Sequence, residues 1–78
     1  MHPNDVKQLI ESRLPGSLAT VEGDGSHFYA EIISPAFAGL SRLKRQQLIL
    51  GQLQAEIASG ELHALSFKKT LTPEEQGA

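Results

Sequence analysis

The chain contains no cysteine. That excludes a disulfide framework, a thiolate zinc site, a thiol nucleophile and an iron–sulfur cluster held by this chain alone. Metal chemistry has to run through His, Asp or Glu, or be completed by a second molecule. Tryptophan is also absent, and three Phe and one Tyr are the whole aromatic complement, so the core must be mostly aliphatic. No apolar run approaches the ~18–20 residues that span a bilayer. Met1-His2-Pro3-Asn4-Asp5 lacks the basic and apolar regions of a signal peptide, so a cytoplasmic protein with no membrane role is expected. Enzyme signatures are missing as well: there is no nucleophile elbow, phosphate-cradling Walker loop or metalloprotease helix. A non-enzymatic role follows. The formal charge of −2 argues against a generally basic nucleic-acid binder, though a local basic patch remains open.

What is present fits one small domain in 78 residues, a size that buries about 60–65% of the unfolded surface. Pro3 at a first helical position, Asp5 in the first turn and Arg13 near the end predict a helix from Pro3 to Leu14, with Val6, Leu9, Ile10 and Leu14 as its apolar stripe. Pro15-Gly16 stops it. Ser17–Glu22 and His27–Ser34 read as a hairpin around Gly23-Asp24-Gly25-Ser26. A two-residue turn at Asp24-Gly25 puts Ala19, Val21, Phe28, Ala30 and Ile32 on one face. Thr20, Glu22, His27, Tyr29 and Glu31 then lie on the other.

Ser41 is a good N-cap for the longest helix, Arg42 to Ser59, with Leu43, Leu50, Leu53 and Ile57 as its stripe and Gly60 as its stop. Gly51 inside it costs about 0.5–1 kcal/mol relative to alanine, a cost that close packing on the sheet would explain. Leu62–Lys69 is the third strand. Residues 73–78 are a polar tail that forms one helical turn or frays. The fold class is therefore α+β, helix-strand-strand-helix-strand with a short tail. Its mixed three-stranded sheet carries both helices on one face, and the long helix is the crossover between parallel strands.

Parallel strands begin at the same edge. His27 opens the second strand and His63 lies at the start of the third, so the topology brings them within roughly 5–10 Å. Strict alternation with Leu65 and Phe67 puts His63 on the core side and His27 on the other, unless a bulge intervenes. A zinc site made of His27, His63 and Asp24 or Glu22 has no recognisable spacing. His2 reads as a terminal bystander.

Taken together, Val21-x-Gly23-Asp24-Gly25-Ser26-His27-Phe28, Ser34, Phe37-x-Gly39-x-Ser41, Arg45 with Gln47, Leu62-His63-Ala64-Leu65-Ser66-x-Lys68 and Thr72-Pro73-Glu74-Glu75 resemble the BolA-like family, in its short YrbA or IbaG branch. The likeness covers essentially residues 5–75. It implies a fold of the type II K-homology kind, in agreement with the topology above. It also implies a monothiol glutaredoxin as partner, with a shared [2Fe–2S] cluster to which the glutaredoxin cysteine and glutathione supply sulfur and this chain supplies histidine. By that likeness His63 is the first ligand and His27 the second, in iron–sulfur trafficking or iron and stress regulation. Imidazole in place of thiolate is tolerated on one iron. Alone, the chain is expected as a monomer or weak homodimer. Where many members carry Arg-His, this sequence reads Arg45-Gln46.

The alternative partner is DNA or RNA. Arg42, Lys44 and Arg45 crowd the N-terminal turn of the long helix, where the helix dipole disfavours cations and free backbone N–H groups favour anions. Gly39 stands where a K-homology domain carries the first glycine of its backbone-clamping loop, and Lys68 with Lys69 extends the patch.

Overall fold

A computed structural model describes residues 1–77. Helix α1 spans Pro3–Arg13, with the His2 N–H donating to Asp5 Oδ2 at 2.9 Å. It buries Val6 and Ile10. Strands β1 (Leu18–Gly23) and β2 (His27–Ile33) form the hairpin, followed by a 3-10 turn at Pro35–Phe37. Helices α2 (Arg42–Gln52) and α3 (Gln54–Ser59), strand β3 (Ala64–Leu71) and helix α4 (Pro73–Gly77) complete the chain. The sheet order is β1-β2-β3; β2 pairs antiparallel with β1 and parallel with β3.

The expected faces are observed, because the side-chain period of two sorts them. Ala19, Phe28, Ala30 and Ile32 are buried beneath α1 and α2, where Val6, Ile10, Phe37, Ile49, Leu53 and Leu62 close the core. The hairpin register, however, pairs Val21 with Ala30 and Gly23 with Phe28, two residues away from the register expected. The turn falls at Gly25-Ser26 rather than Asp24-Gly25. Its cause is the Asp24 carboxylate, whose Oδ1 accepts from Ser26 N–H (3.0 Å), Ser26 Oγ (2.9 Å) and His27 N–H (3.0 Å). Gly25 takes φ +97, as the first central residue of such a turn requires. A slip of two leaves every side chain on its face.

The single long helix expected over Arg42–Ser59 is broken at Leu53, which has φ −105 and ψ 14. Leu53 is fully buried, and its N–H is shared between the carbonyls of Ile49 and Leu50. Arg13 satisfies the break, donating to the Gln52 carbonyl at 2.8 Å and to the Glu56 carboxylate. The buried stripe is consequently Ile49 and Leu53, while Leu43 and Ile57, expected in it, are exposed. Gly51 is also exposed, and an added Cβ there would meet nothing within 4 Å. Close packing on the sheet is not its reason, and nothing in the structure supplies another.

The third strand begins at Ala64, not Leu62. After Gly60 (φ +82) the Leu62 N–H closes onto the Glu56 carbonyl at 3.1 Å. Leu62 thereby drops into the core while the next residue, His63, is exposed. A register shift opposite Ala30 and Glu31 makes Lys68 an extra residue in β3. Beyond it Thr70, not Lys69, is the buried residue. The tail forms α4 rather than fraying: Thr72 Oγ1 accepts from Glu75 N–H (3.1 Å), and Glu75 Oε1 accepts from Thr72 N–H (2.8 Å), a reciprocal cap. Residue 78 lies outside the described residues.

Candidate functional site

Two groups of chemically capable side chains emerge, one at each end of β3. At its beginning, His27 pairs in register with Ala64, so His63 stands one residue before the direct neighbour of His27, across strands spaced roughly 4.8 Å apart. The shared edge expected from the crossover is present. The expected conflict of faces is not, because His63 precedes the strand and alternation does not bind it. His27 is half-buried on the sheet face that no helix of the core covers. There its Nε2 lies 3.0 Å from Ser66 Oγ, and its ring stacks on Tyr29 with centroids 4.6 Å apart and planes at 22°. Asp24, immediately before the turn, has its carboxyl lowered, first by the His27 backbone N–H and then by Ser26. Its charge thus locks the turn that delivers His27.

Among the described residues no group of three His, Cys, Asp or Glu side chains could hold a metal ion. Asp24 and Glu22 do not join the two histidines: the Asp24 carboxylate is engaged by its own turn, and Glu22 lies 3.8 Å from Lys68. The zinc alternative is not assembled. What remains is two histidines at one edge of a cysteine-free chain.

At the other group, Arg42, Arg45, Lys68 and Lys69 line a shallow cleft of about 240 Å³ between the start of α2 and β3, with Thr70 and Leu71. The bulge at Lys68 puts two consecutive lysines there. Arg45 has a different task from the one its sequence position suggests. Its Nε donates to the Leu40 carbonyl (2.9 Å), one terminal nitrogen to the Thr70 carbonyl (2.7 Å), and both to the Glu75 carboxylate (2.6 and 3.2 Å). The guanidinium also lies 5.8 Å from the Phe37 ring centroid. The side chain is 12% exposed. Arg45 is therefore a staple joining α2, β3 and α4, its guanidinium engaged by protein partners where it borders the cleft. Arg42 and Lys44 are exposed, and Ser41 Oγ caps the helix through Lys44 N–H at 3.2 Å. Gly39 is exposed at φ +77 with open space around it.

The sequence puts Tyr29 on the face of His27 and shows Ser66 and Glu75 in its motifs, but not the contacts these residues make. The contact of Ser66 with His27 follows only from the β2–β3 register. Glu75 was visible as a Thr-Pro-Glu-Glu helix start, but its partner lies 30 residues away.

A mixed three-stranded sheet with helices over one face and a histidine-bearing edge defines an α+β domain of a known kind. The chain matches the family model described as BolA-like protein over residues 4–75; it belongs to the BolA-like family. It is 37% identical over 75 residues to the acid stress protein IbaG of Escherichia coli K12, covering 96% of this chain and 88% of that protein. Its structure is similar to that of a bolA protein homologue from Coxiella burnetii, with TM-score 0.90, 39% identity and coverage of 100% and 99%. The BolA domain of SufE1 from Arabidopsis thaliana is similar with TM-score 0.79 and 35% identity, over 94% of this chain and 93% of that one. No helix among the described residues is long and apolar enough to cross a membrane.

Proposed function

We propose that this chain is a non-enzymatic partner of a monothiol glutaredoxin, contributing His63, with His27 beside it, to a shared [2Fe–2S] cluster in iron–sulfur trafficking or iron and stress regulation. The observation that carries the reading is the parallel register of His27 with Ala64, which gathers two imidazoles at one rim of a chain with no sulfur ligand of its own. The acid-stress name of the IbaG relative suits a stress-linked role. When bound, the cluster supplies the redox-active iron; the residues of this chain supply nitrogen donors and the surface that docks. His63 is exposed and available to a partner's atoms, whereas His27 is held in place by the sheet.

Mixing the protein with cluster-loaded monothiol glutaredoxin is expected to change the visible circular dichroism of the cluster. His63→Ala is expected to abolish that change, and His27→Ala to alter it. An unchanged spectrum with the wild type, or one identical for wild type and His63→Ala, counts against the proposal.

The cleft lined by Arg42, Lys68 and Lys69 favours a second reading, contact with DNA or RNA phosphates. Charge reversal of Arg42 and Lys68 together should weaken binding and flatten its salt dependence by roughly 0.9 in log–log slope per lost phosphate contact. Arg45 is left unaltered in this test because it holds the fold. Affinity indifferent to both salt and charge reversal would reduce the patch to solvated surface.

A further inference from the structure

His27 differs from an ordinary surface histidine in being restrained twice by the sheet that carries it. Tyr29, two residues along β2 on the same face, stacks on the ring at 4.6 Å. Ser66, the β3 residue in register with Tyr29, meets Nε2 at 3.0 Å. One contact fixes the plane of the imidazole and the other its rotation. No protein group among the described residues hydrogen-bonds Nδ1. A neutral imidazole carries one N–H and one lone pair, so the partner of Nε2 decides where the lone pair points. If the Nε2 proton is donated to Ser66 Oγ, the lone pair sits on Nδ1; if Ser66 donates instead, Nδ1 carries the proton and cannot ligate.

We infer that Ser66 is a positioning residue which, with Tyr29, holds His27 in its Nε2–H tautomer and thereby presents Nδ1 as its ligating atom at the shared edge. Metal-bound histidines commonly donate their second ring N–H to a fixed acceptor, which sets tautomer and orientation. A serine hydroxyl has lone pairs to accept with as well as a proton to donate, and in register across a parallel strand, 3.0 Å from Nε2, it can take the acceptor role before any metal arrives. The metal and the choice between the two tautomers rest on the function proposed above; the two restraints on the ring do not.

Two measurements separate these. Long-range ¹H–¹⁵N correlation of the imidazoles in the unmixed protein should show His27 with a protonated Nε2 and an unprotonated Nδ1. Ser66→Ala should move the two nitrogen shifts toward each other as tautomers mix, and Ser66→Thr, which keeps the hydroxyl, should restore the wild-type pattern. A proton on Nδ1 in the wild type, or a spectrum that Ser66→Ala leaves unchanged, overturns the inference. With cluster-loaded glutaredoxin, Ser66→Ala should weaken capture by about 10-fold or more, with recovery in Ser66→Thr. Equal capture by wild type and Ser66→Ala would overturn ligation through Nδ1 even if the tautomer changed. No capture by the wild type, with the tautomer pattern as expected, would support the positioning role and count against the glutaredoxin reading alone.

Discussion

Gly23→Ala is expected to lower stability by about 2 kcal/mol, within the 1–3 kcal/mol typical of forced overpacking, and the melting temperature by roughly 8–16 °C for a domain of this size. Gly23 ends β1 opposite Phe28. A Cβ there would run into the His27 carbonyl oxygen and sit 3.0 Å from Phe28 Cα. Both obstacles belong to backbone in the central strand, so no side-chain rotation relieves them. Phe28 is fully buried, and the strand cannot retreat without opening the core. The strain should appear first at the turn that carries His27, as amide shift changes at Asp24, Ser26 and His27. Gly51→Ala is the control: its Cβ meets open space in a helix interior, and it should be neutral or stabilising by about 0.5–1 kcal/mol. Equal melting temperatures for Gly23→Ala and wild type would show that the hairpin end is looser than its packing indicates.

Arg45→Ala is expected to cost about 2–3 kcal/mol in denaturant unfolding at neutral pH. It removes charged hydrogen bonds to two carbonyls, each worth roughly 1.5–3 kcal/mol, and frees the exposed Glu75 carboxylate, with water replacing part of the loss. α4 should detach from β3, since its Glu75 is tied to Arg45 and to Thr72. Acid releases the Glu75 arm of the same staple in the wild type. The Glu75 carboxyl is lowered to about 2, first by the Arg45 guanidinium and then by the Thr72 N–H. A depressed carboxyl stabilises the fold fully above its unfolded value near 4.5 and progressively less as pH falls toward 2. Glu11, Glu56 and Asp24 are lowered as well, by Lys7, by Arg13 and by the His27 N–H respectively, so each also contributes stability that is lost as pH falls below its unfolded value. The gap between wild type and Arg45→Ala should narrow in acid by the share that Glu75 carries, leaving the share of the Leu40 and Thr70 carbonyls, which do not titrate. Parallel curves would place the anchoring of α4 elsewhere.

Much of this fold was legible because burial on one face imposes a period of two. Ala19, Phe28, Ala30 and Ile32 announce the inner face whatever turn joins the strands, which is why an error of two in register cost nothing. The crossover was legible for a different reason: a helix between strands implies parallel pairing, and parallel pairing fixes which ends meet. What escaped reading depends on side chains reaching across the sequence. The break at Leu53 is stabilised by Arg13 from α1. Arg45 looks like a phosphate-facing cation until Thr70 and Glu75 are seen around it. The bulge at Lys68 has no local signature at all, and it decides that Thr70 enters the core while Lys69 faces out. At the histidine edge, position followed from topology, but the restraint on His27 needed the partner strand.

The register of β2 with β3 also governs when the site comes into being. The hairpin is local, so Asp24 can close its turn while most of the chain is still unfolded. His27 meets the neighbourhood of Ala64 only after a 37-residue separation has been bridged, a step that carries the chain-closure entropy and is slow relative to hairpin formation. A chain emerging during synthesis can thus form the turn that carries His27 well before β3 brings Ser66 to its ring. The edge that brings His27 and His63 together is complete only once β3 has paired with β2.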